Sequence, residues 1–296
     1  TKYYIKVYVI DSNGRTSSIR NGSVETEPST FANYITKKLY NGVDGNNGIY
    51  YHDGTGTYGS LEAGDYSYRY SGANPNNYVC FGATGTACQN AENQYRIIGV
   101  FNGQVKLIKS TSYGNYAWDA GKNNTWNAST KPDIYTTLNT TFYNTISTQW
   151  KNLIESTTWQ VGGMDFSETN NSKEYYNYEI GIYQNGYEET MPIGLMYVSD
   201  YGYAVTPNYW NTPLFEHTSS EINASNWMYL GDWEHTISRM ANETDANFGV
   251  YSGGGFYAVF ITSSADQIRP SFYLKSSVET VSGTGTQADP YILKIN

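Results

Sequence analysis

Two cysteines, three histidines and 27 acidic residues are the groups in this 296-residue chain whose types could carry covalent, metal or acid–base chemistry. Cys80 and Cys88 bracket the Gly/Thr-rich stretch Cys-Phe-Gly-Ala-Thr-Gly-Thr-Ala-Cys, which is long enough to fold back on itself. They are read as a local disulfide in preference to two free thiols. Two sulfurs with no histidine nearby do not make a four-ligand structural zinc site, and an oxidised pair would place the chain outside the cytoplasm. His52, His217 and His235 are widely separated and suggest no shared metal. His52 with Asp53, and His217 with Glu216, are local acid–histidine pairs, but no Gly-x-Ser-x-Gly elbow accompanies them. Glu188 with Glu189, and Asp232 with Glu234, offer the two carboxylates that glycoside hydrolysis uses, a pairing that any chain of this length contains. Residues 44–65 and 165–168 are acidic loops that would suit a structural calcium ion, though they match neither the EF-hand pattern nor a Glu-Pro-Asn tripeptide. No catalytic residue, metal ligand or cofactor is assigned, and the chain is expected not to be an enzyme.

Surface chemistry is the stronger signal. Charged residues make up 15% of the chain, against the ~25% usual for soluble domains, while there are 31 Tyr and 30 Asn. Tyr supplies rigid amphipathic contact area and Asn and Ser adaptable hydrogen bonds, the mixture found on binding faces. The net charge of -9 repels phosphate backbones, so nucleic acid is excluded as a partner. No run approaches the ~20 apolar residues that cross a bilayer, so no membrane insertion is expected. The chain begins at Thr1 in mid-pattern, and a signal peptide and surface anchor are expected upstream.

These residues need elements to hold them. Residues 1–27 alternate in strand fashion around Asp11-Ser12-Asn13-Gly14 and read as a β-hairpin similar to the last strands of an immunoglobulin or fibronectin type III module, or as a linker. Residues 28–296 read as one domain. Ser29 is the expected N-cap of a short helix carrying Phe31, Ile35 and Leu39 and ended by Asn41-Gly42. Residues 95–109 form a hairpin around Asn102-Gly103. The spacing of Leu138, Phe142, Ile146, Trp150, Leu153 and Ile154 predicts one amphipathic helix of about five turns. Beyond Trp159 short extended runs dominate, including 194–198 and a hairpin over 248–262 with Gly253–Gly255 at its turn, and the tail 283–293 is expected to close on an edge strand. Few helices and much loop give an α+β class.

Four segments carry a resemblance: Tyr-Arg-Tyr-Ser-Gly-Ala-Asn-Pro-Asn-Asn-Tyr-Val-Cys-Phe-Gly at 68–82, Tyr-Arg-Ile-Ile-Gly-Val-Phe at 95–101, Ile-Gly-Leu-Met-Tyr-Val-Ser-Asp-Tyr-Gly-Tyr-Ala at 193–204, and Ile-Arg-Pro-Ser-Phe-Tyr-Leu-Lys-Ser at 268–276 with its Gly-Thr-Gly-Thr tail. Together, over residues 40–296, they resemble C-terminal domains of surface and pilin-like proteins of Gram-positive gut bacteria. Trp233-Glu234-His235-Thr236 is similar to the Trp-Glu-Trp-Thr stretch of formylglycine-generating-enzyme-like domains, with His235 where the second Trp is usual. The resemblance implies a C-type-lectin-like fold with few helices, small antiparallel sheets and extensive loops. It does not imply the oxidase activity, because both cysteines lie in the first third of the chain.

The same fold serves the variable proteins of diversity-generating retroelements, in which a segment before the last strand is mutated at adenines. The equivalent stretch is 238–267, and the residue types that mutated Asn codons yield fill 247–266. The implied ligand face comprises Met240, Asn242, Asp245, Asn247, Gly249, Tyr251, Ser252, Phe256, Tyr257, Val259, Ile261, Ser263 and Asp266, with Tyr251, Phe256 and Tyr257 as anchors. By the two-residue strand period, Val250, Phe256, Ala258 and Phe260 face inward and Tyr251, Tyr257, Val259 and Ile261 outward. Met196, Val198, Trp227 and Trp233 are expected to pack beneath that face. The expected function is that of a surface-displayed adhesin-type domain binding a protein or glycan on another cell, phage or host surface. The alternatives are a structural stalk-tip subunit and a glycan-active enzyme.

Overall fold

The computed structural model describes residues 2–18, 20–25, 30–182, 186–260 and 265–295. Strand alternation and an Asp-initiated turn build the first hairpin: β1 (Lys2–Val7) pairs antiparallel with β2 (Arg20–Glu25) in a two-stranded sheet of their own. Asp11 makes the turn, its Oδ1 accepting the amides of Asn13 and Arg15 at 2.9 Å, a local bond that Asp forms well. The packed clusters begin later, at Phe31.

A first helical stretch starts as α1 (Phe31–Asn33) and continues in π turns over Tyr34–Tyr40, with Phe31 and Ile35 buried. Its N-cap is Thr30, which accepts the Asn33 amide at 3.2 Å; Ser29 lies outside the described residues. Asn41 and Gly42, at φ 52° and 77°, end it in left-handed backbone as expected. There follow β3 (Ile49–His52), β4 (Ser67–Tyr70), β5 (Tyr78–Cys80), β6 (Gln94–Phe101), β7 (Gln104–Lys109) and β8 (Gly114–Tyr116). The β6–β7 turn is Asn102-Gly103, both at positive φ, the geometry an Asn-Gly pair adopts most readily. Alternate side chains of this hairpin enter different clusters, Ile97 and Leu107 one, Ile98 and Ile108 another, so the sheet carries a core on each face. Cys80 and Cys88 form the expected disulfide.

The predicted five-turn helix is not continuous. α2 (Asp133–Thr136) passes into π turns over Thr137–Phe142 and then α3 (Tyr143–Thr145), where Ile146 leaves the helix at φ -80°, ψ 128°; α4 (Thr148–Lys151) is a fresh start. Leu138, Phe142, Trp150 and Ile154 are nonetheless buried, so the apolar stripe was real and the helix was not. β-Branched Thr136, Thr137, Thr140, Thr141 and Thr145 crowd a helix, and the Thr145 hydroxyl donates to the Phe142 carbonyl at 2.7 Å, a local bond that competes with the ladder.

Next come β9 (Ile154–Glu155), β10 (Thr157–Gln160), α5 (Ser172–Glu179), β11 (Glu188–Met191), α6 (Val198–Ala204) and α7 (Ser220–Ala224). A capping box starts α5: Asn171 accepts the amides of Lys173 and Glu174, and Glu174 accepts that of Asn171. Val198, expected in an extended run, instead begins a helix because carboxylates satisfy its free amides. Glu179 accepts those of Val198 and Ser199 at 2.7 and 2.9 Å, and Asp200 that of Tyr197 at 2.9 Å.

The chain ends with β12 (Glu234–Arg239), β13 (Ala246–Val250), β14 (Phe256–Phe260), β15 (Asp266–Ile268), β16 (Ser271–Leu274), β17 (Thr280–Ser282) and β18 (Tyr291–Leu293). Among the described residues a nine-stranded sheet follows the order β17-β18-β5-β6-β7-β16-β9, with β4 joined to β6 and β3 to β4, and a five-stranded sheet the order β14-β13-β12-β15-β8. Only β12 with β15 and β18 with β5 pair parallel among the named strands. The class is α+β with few helices and antiparallel-rich sheets. One sheet is larger than expected, and the last strand is not an edge, since β17 lies outside β18.

Buried charges tie these layers together. Arg69 and Lys106, both essentially inaccessible, share Asp200 at 3.4 and 2.6 Å, and Arg69 also reaches Asp65 at 2.7 Å. Arg96 lies 4.5 Å from the ring centroids of both Tyr78 and Trp227. Arg269 binds the two oxygens of Glu234 at 2.7 and 2.8 Å, joining the final strands to the Trp-Glu segment. Tyr70 in 68–82 and Tyr197, Tyr201 and Tyr203 in 193–204 are all buried, so these tyrosines are architectural.

Candidate binding face

The expected hairpin with a glycine turn is present: β13 and β14 pair with Val250 opposite Phe256 and Gly249 opposite Tyr257. Its turn is held from three sides. The Tyr229 hydroxyl donates to the Ser252 carbonyl at 2.5 Å, Asn223 Nδ2 to that of Gly253 at 2.7 Å, and the Tyr201 hydroxyl to that of Gly254 at 2.9 Å. Gly254 sits at φ 97°, and a Cβ there would stand 1.9 Å from Asn223 Oδ1 and 2.7 Å from the His217 carbonyl, so only glycine fits. Three successive carbonyls pinned by separate elements make the turn a preorganised platform.

On that platform lies a run of rings. Trp233 contacts Tyr251 at 5.8 Å between centroids, Tyr251 meets Tyr257 edge-on at 4.9 Å, and Tyr257 meets Phe215 at 4.7 Å. Trp233 is 39% exposed, and Tyr251, Tyr257 and Phe215 are half-buried. Polar groups edge the rings: Ser252 is exposed, and Asp232 accepts Gln267 Nε2 at 2.7 Å while the Gln267 amide donates to the Trp233 carbonyl. Aromatic faces with a hydrogen-bonding margin can stack on a sugar or pack on a protein side chain.

The structure divides the expected face. Tyr251, Ser252 and Tyr257 lie on it. Asn242 is exposed and Asp245 half-buried, on the turn between β12 and β13. Phe256 is not an anchor: it is fully buried, packed edge-on to Tyr201 at 5.3 Å, because its parity in β14 matches Val250 and turns it into the core. Met240, Gly249, Asn247 and Asp266 are also buried. Asn247 approaches the imidazole of His235 at 3.1 Å and Asp266 approaches it at 3.9 Å, an internal polar cluster that needs partners rather than ligands. Val259 is paired with Asn247 in β14; the side chains of Ala258, Val259 and Phe260, and the residues Ile261 and Ser263, lie outside what is described. Met196, Val198 and Trp227 are core as expected, but Trp233 is not: it precedes β12 and reaches solvent. Sequence reading missed Phe215, Asn223, Tyr201 and Tyr229, which come from segments 20 or more residues away in the chain and leave no local signal.

The other chemical candidates are otherwise engaged. Burial pushes the His52 pKa down to about 3 and those of His217 and His235 to about 4, so all three are neutral near pH 7. Glu234 is committed to Arg269, Glu188 accepts Gln160 Nε2, and Glu189 pairs with Lys131. Burial raises the Glu179 carboxyl to about 7 against the hydrogen bonds it accepts from Ser238, Ser199 and Val198. Among the described residues no three His, Cys, Asp or Glu side chains are grouped to hold a metal ion, and no helix is long and apolar enough to cross a membrane. No family model, curated protein or solved structure matches the chain.

Proposed function

We propose that this chain is a non-catalytic, surface-displayed ligand-binding domain of C-type-lectin-like fold, whose contact face is the ring run Trp233, Tyr251, Tyr257 and Phe215. One observation carries the reading: four aromatic rings in mutual contact stay accessible on a turn whose backbone is pinned by Tyr201, Asn223 and Tyr229. Rigid aromatic anchors lose little entropy on binding, which is the economy of hot spots. Diversification by a retroelement belongs to the same proposal, restricted to the accessible positions of 238–267. Its genetic test is a near-identical repeat differing only at adenines beside a reverse transcriptase gene.

The binding test compares the chain with its Tyr251→Ala/Tyr257→Ala variant on glycan arrays and intact bacterial cells. Signal lost in the variant with little change in melting temperature is expected; equal binding by the two overturns the reading. A second reading, a structural stalk-tip subunit, is favoured by Val7, Tyr8, Val9 and Ile10, each more than half exposed. Concentration-dependent assembly in sedimentation, abolished by Val9→Ser/Ile10→Ser, would support it.

A further inference from the structure

A cavity elsewhere among the described residues shares no residue with the ring run. It is a half-open cleft of about 630 Å³, within the ~300–1,000 Å³ usual for small-ligand sites. Phe81, Tyr95, Phe142 and the half-buried Tyr113 line it. Phe81 follows Cys80 directly, so the disulfide stiffens that wall, and Tyr113 meets Phe142 edge-on at 5.0 Å. Among these rings stands Lys109, 7% exposed. Its ammonium donates to the Glu92 carbonyl at 2.7 Å and lies 5.5 Å from the centroid of the Tyr95 ring.

Three features select the ligand. The aromatic walls suit the C–H face of a ring. Exposed Thr111 and Ser147 on the lining offer hydroxyls for a polyhydroxylated molecule. The largely buried ammonium suits an anion; the Glu92 carboxylate acts on it already, raising its pKa against the effect of burial, but that side chain is exposed. We propose that this cavity binds an acidic sugar, a hexuronate ring with its carboxylate on Lys109 and its ring against Tyr113. Burial lowers the Lys109 pKa, and a bound carboxylate would relieve that cost.

Titration calorimetry and saturation-transfer NMR with D-glucuronate, D-glucose and benzoate test this directly. Glucuronate is expected to saturate with Kd ~1 mM, the scale that ligand efficiency allows a single ring. Glucose, lacking the anion, and benzoate, lacking the hydroxyls, should each bind on the order of tenfold more weakly. Lys109→Met should erase the preference for glucuronate over glucose. Because that buried substitution can disturb folding, Thr111→Trp at the exposed rim serves as a second variant and should block glucuronate while keeping the melting temperature. Tyr251→Ala/Tyr257→Ala should bind glucuronate normally, which separates this site from the ring run. No saturation, equal affinity for glucose or benzoate, undiminished binding by Thr111→Trp, or loss in the tip variant would each overturn the proposal.

Discussion

Tyrosine does opposite work in two regions of this molecule. Around Lys106 and Arg69 the rings of Tyr197, Tyr273, Tyr203 and Tyr176 lie 4.5–5.6 Å from a buried cation and act as its insulation. Their electron-rich faces replace part of the lost hydration, and Asp200 supplies the anion that such burial demands. At the β13–β14 turn, Tyr251 and Tyr257 pack on each other, have no cation against their rings among the described residues, and keep part of their surface in water. The lesson is that a surplus of one residue type has no single meaning. What lies under the ring decides whether it is structural or available.

The comparison can be broken experimentally, and acid is the strongest probe. His52, His217 and His235 have folded pKa values below the unfolded 6.5, so the unfolded chain takes up protons first and stability falls as pH drops from 6.5 toward 4. Each contributes up to ~1.4 kcal/mol per pH unit. Glu179 acts the other way: its folded value of about 7 lies above the usual 4.5, so its contribution is greatest below 4.5 and is lost as pH rises through 7. Glu62 and Glu234, raised by burial, act in the same direction as Glu179, so the three histidines are opposed in part, and urea midpoints should fall between pH 6.5 and 4.5. Flat midpoints would mean that the interior is wetter than its burial indicates.

Asp200→Ala should follow, at ~3–5 kcal/mol in urea unfolding, since it strands Lys106 and weakens Arg69. Lys106→Met/Asp200→Asn should cost less than the single change, because no second cation is stranded; an additive result would sink the insulation argument. Gly254→Ala should cost ~2–3 kcal/mol through left-handed strain and collision with Asn223, and should remove ligand capture with it. The smallest effect belongs to the ring run: Tyr251→Ala and Tyr257→Ala should each cost no more than ~1 kcal/mol of stability. A larger loss would place these rings with the insulating set.

How much was legible depended on how far each feature reaches. Asn102-Gly103, Asn41-Gly42 and the Cys80–Cys88 loop were readable because each closes within a few residues. The parity of the tip hairpin was readable too, with Val250 and Phe256 inward as expected. Parity also ruled against Phe256 as an anchor, a conflict within the sequence reading that burial resolved. Asn247 belongs to the expected display face by its position in 238–267, but His235, twelve positions away on β12, gives it a buried partner. The interrupted helix failed for a related reason: the spacing of Leu138, Phe142 and Trp150 records burial, and a chain can meet burial with a kink at Ile146.

By itself the sequence determined the α+β class, the main turns, the disulfide and the inward Val250 and Phe256 and outward Tyr251 and Tyr257 of the tip hairpin, since short-range sterics and strand periodicity act between neighbours. Tertiary structure decided which aromatic residues outside that hairpin are sealed and which reach water. Lys106 meets Asp200 across 94 positions, and Asn223 and Tyr229 reach the Gly turn across 30 and 23. Pairings of that length depend on how whole sheets pack, and it is packing that leaves Trp233 in solvent.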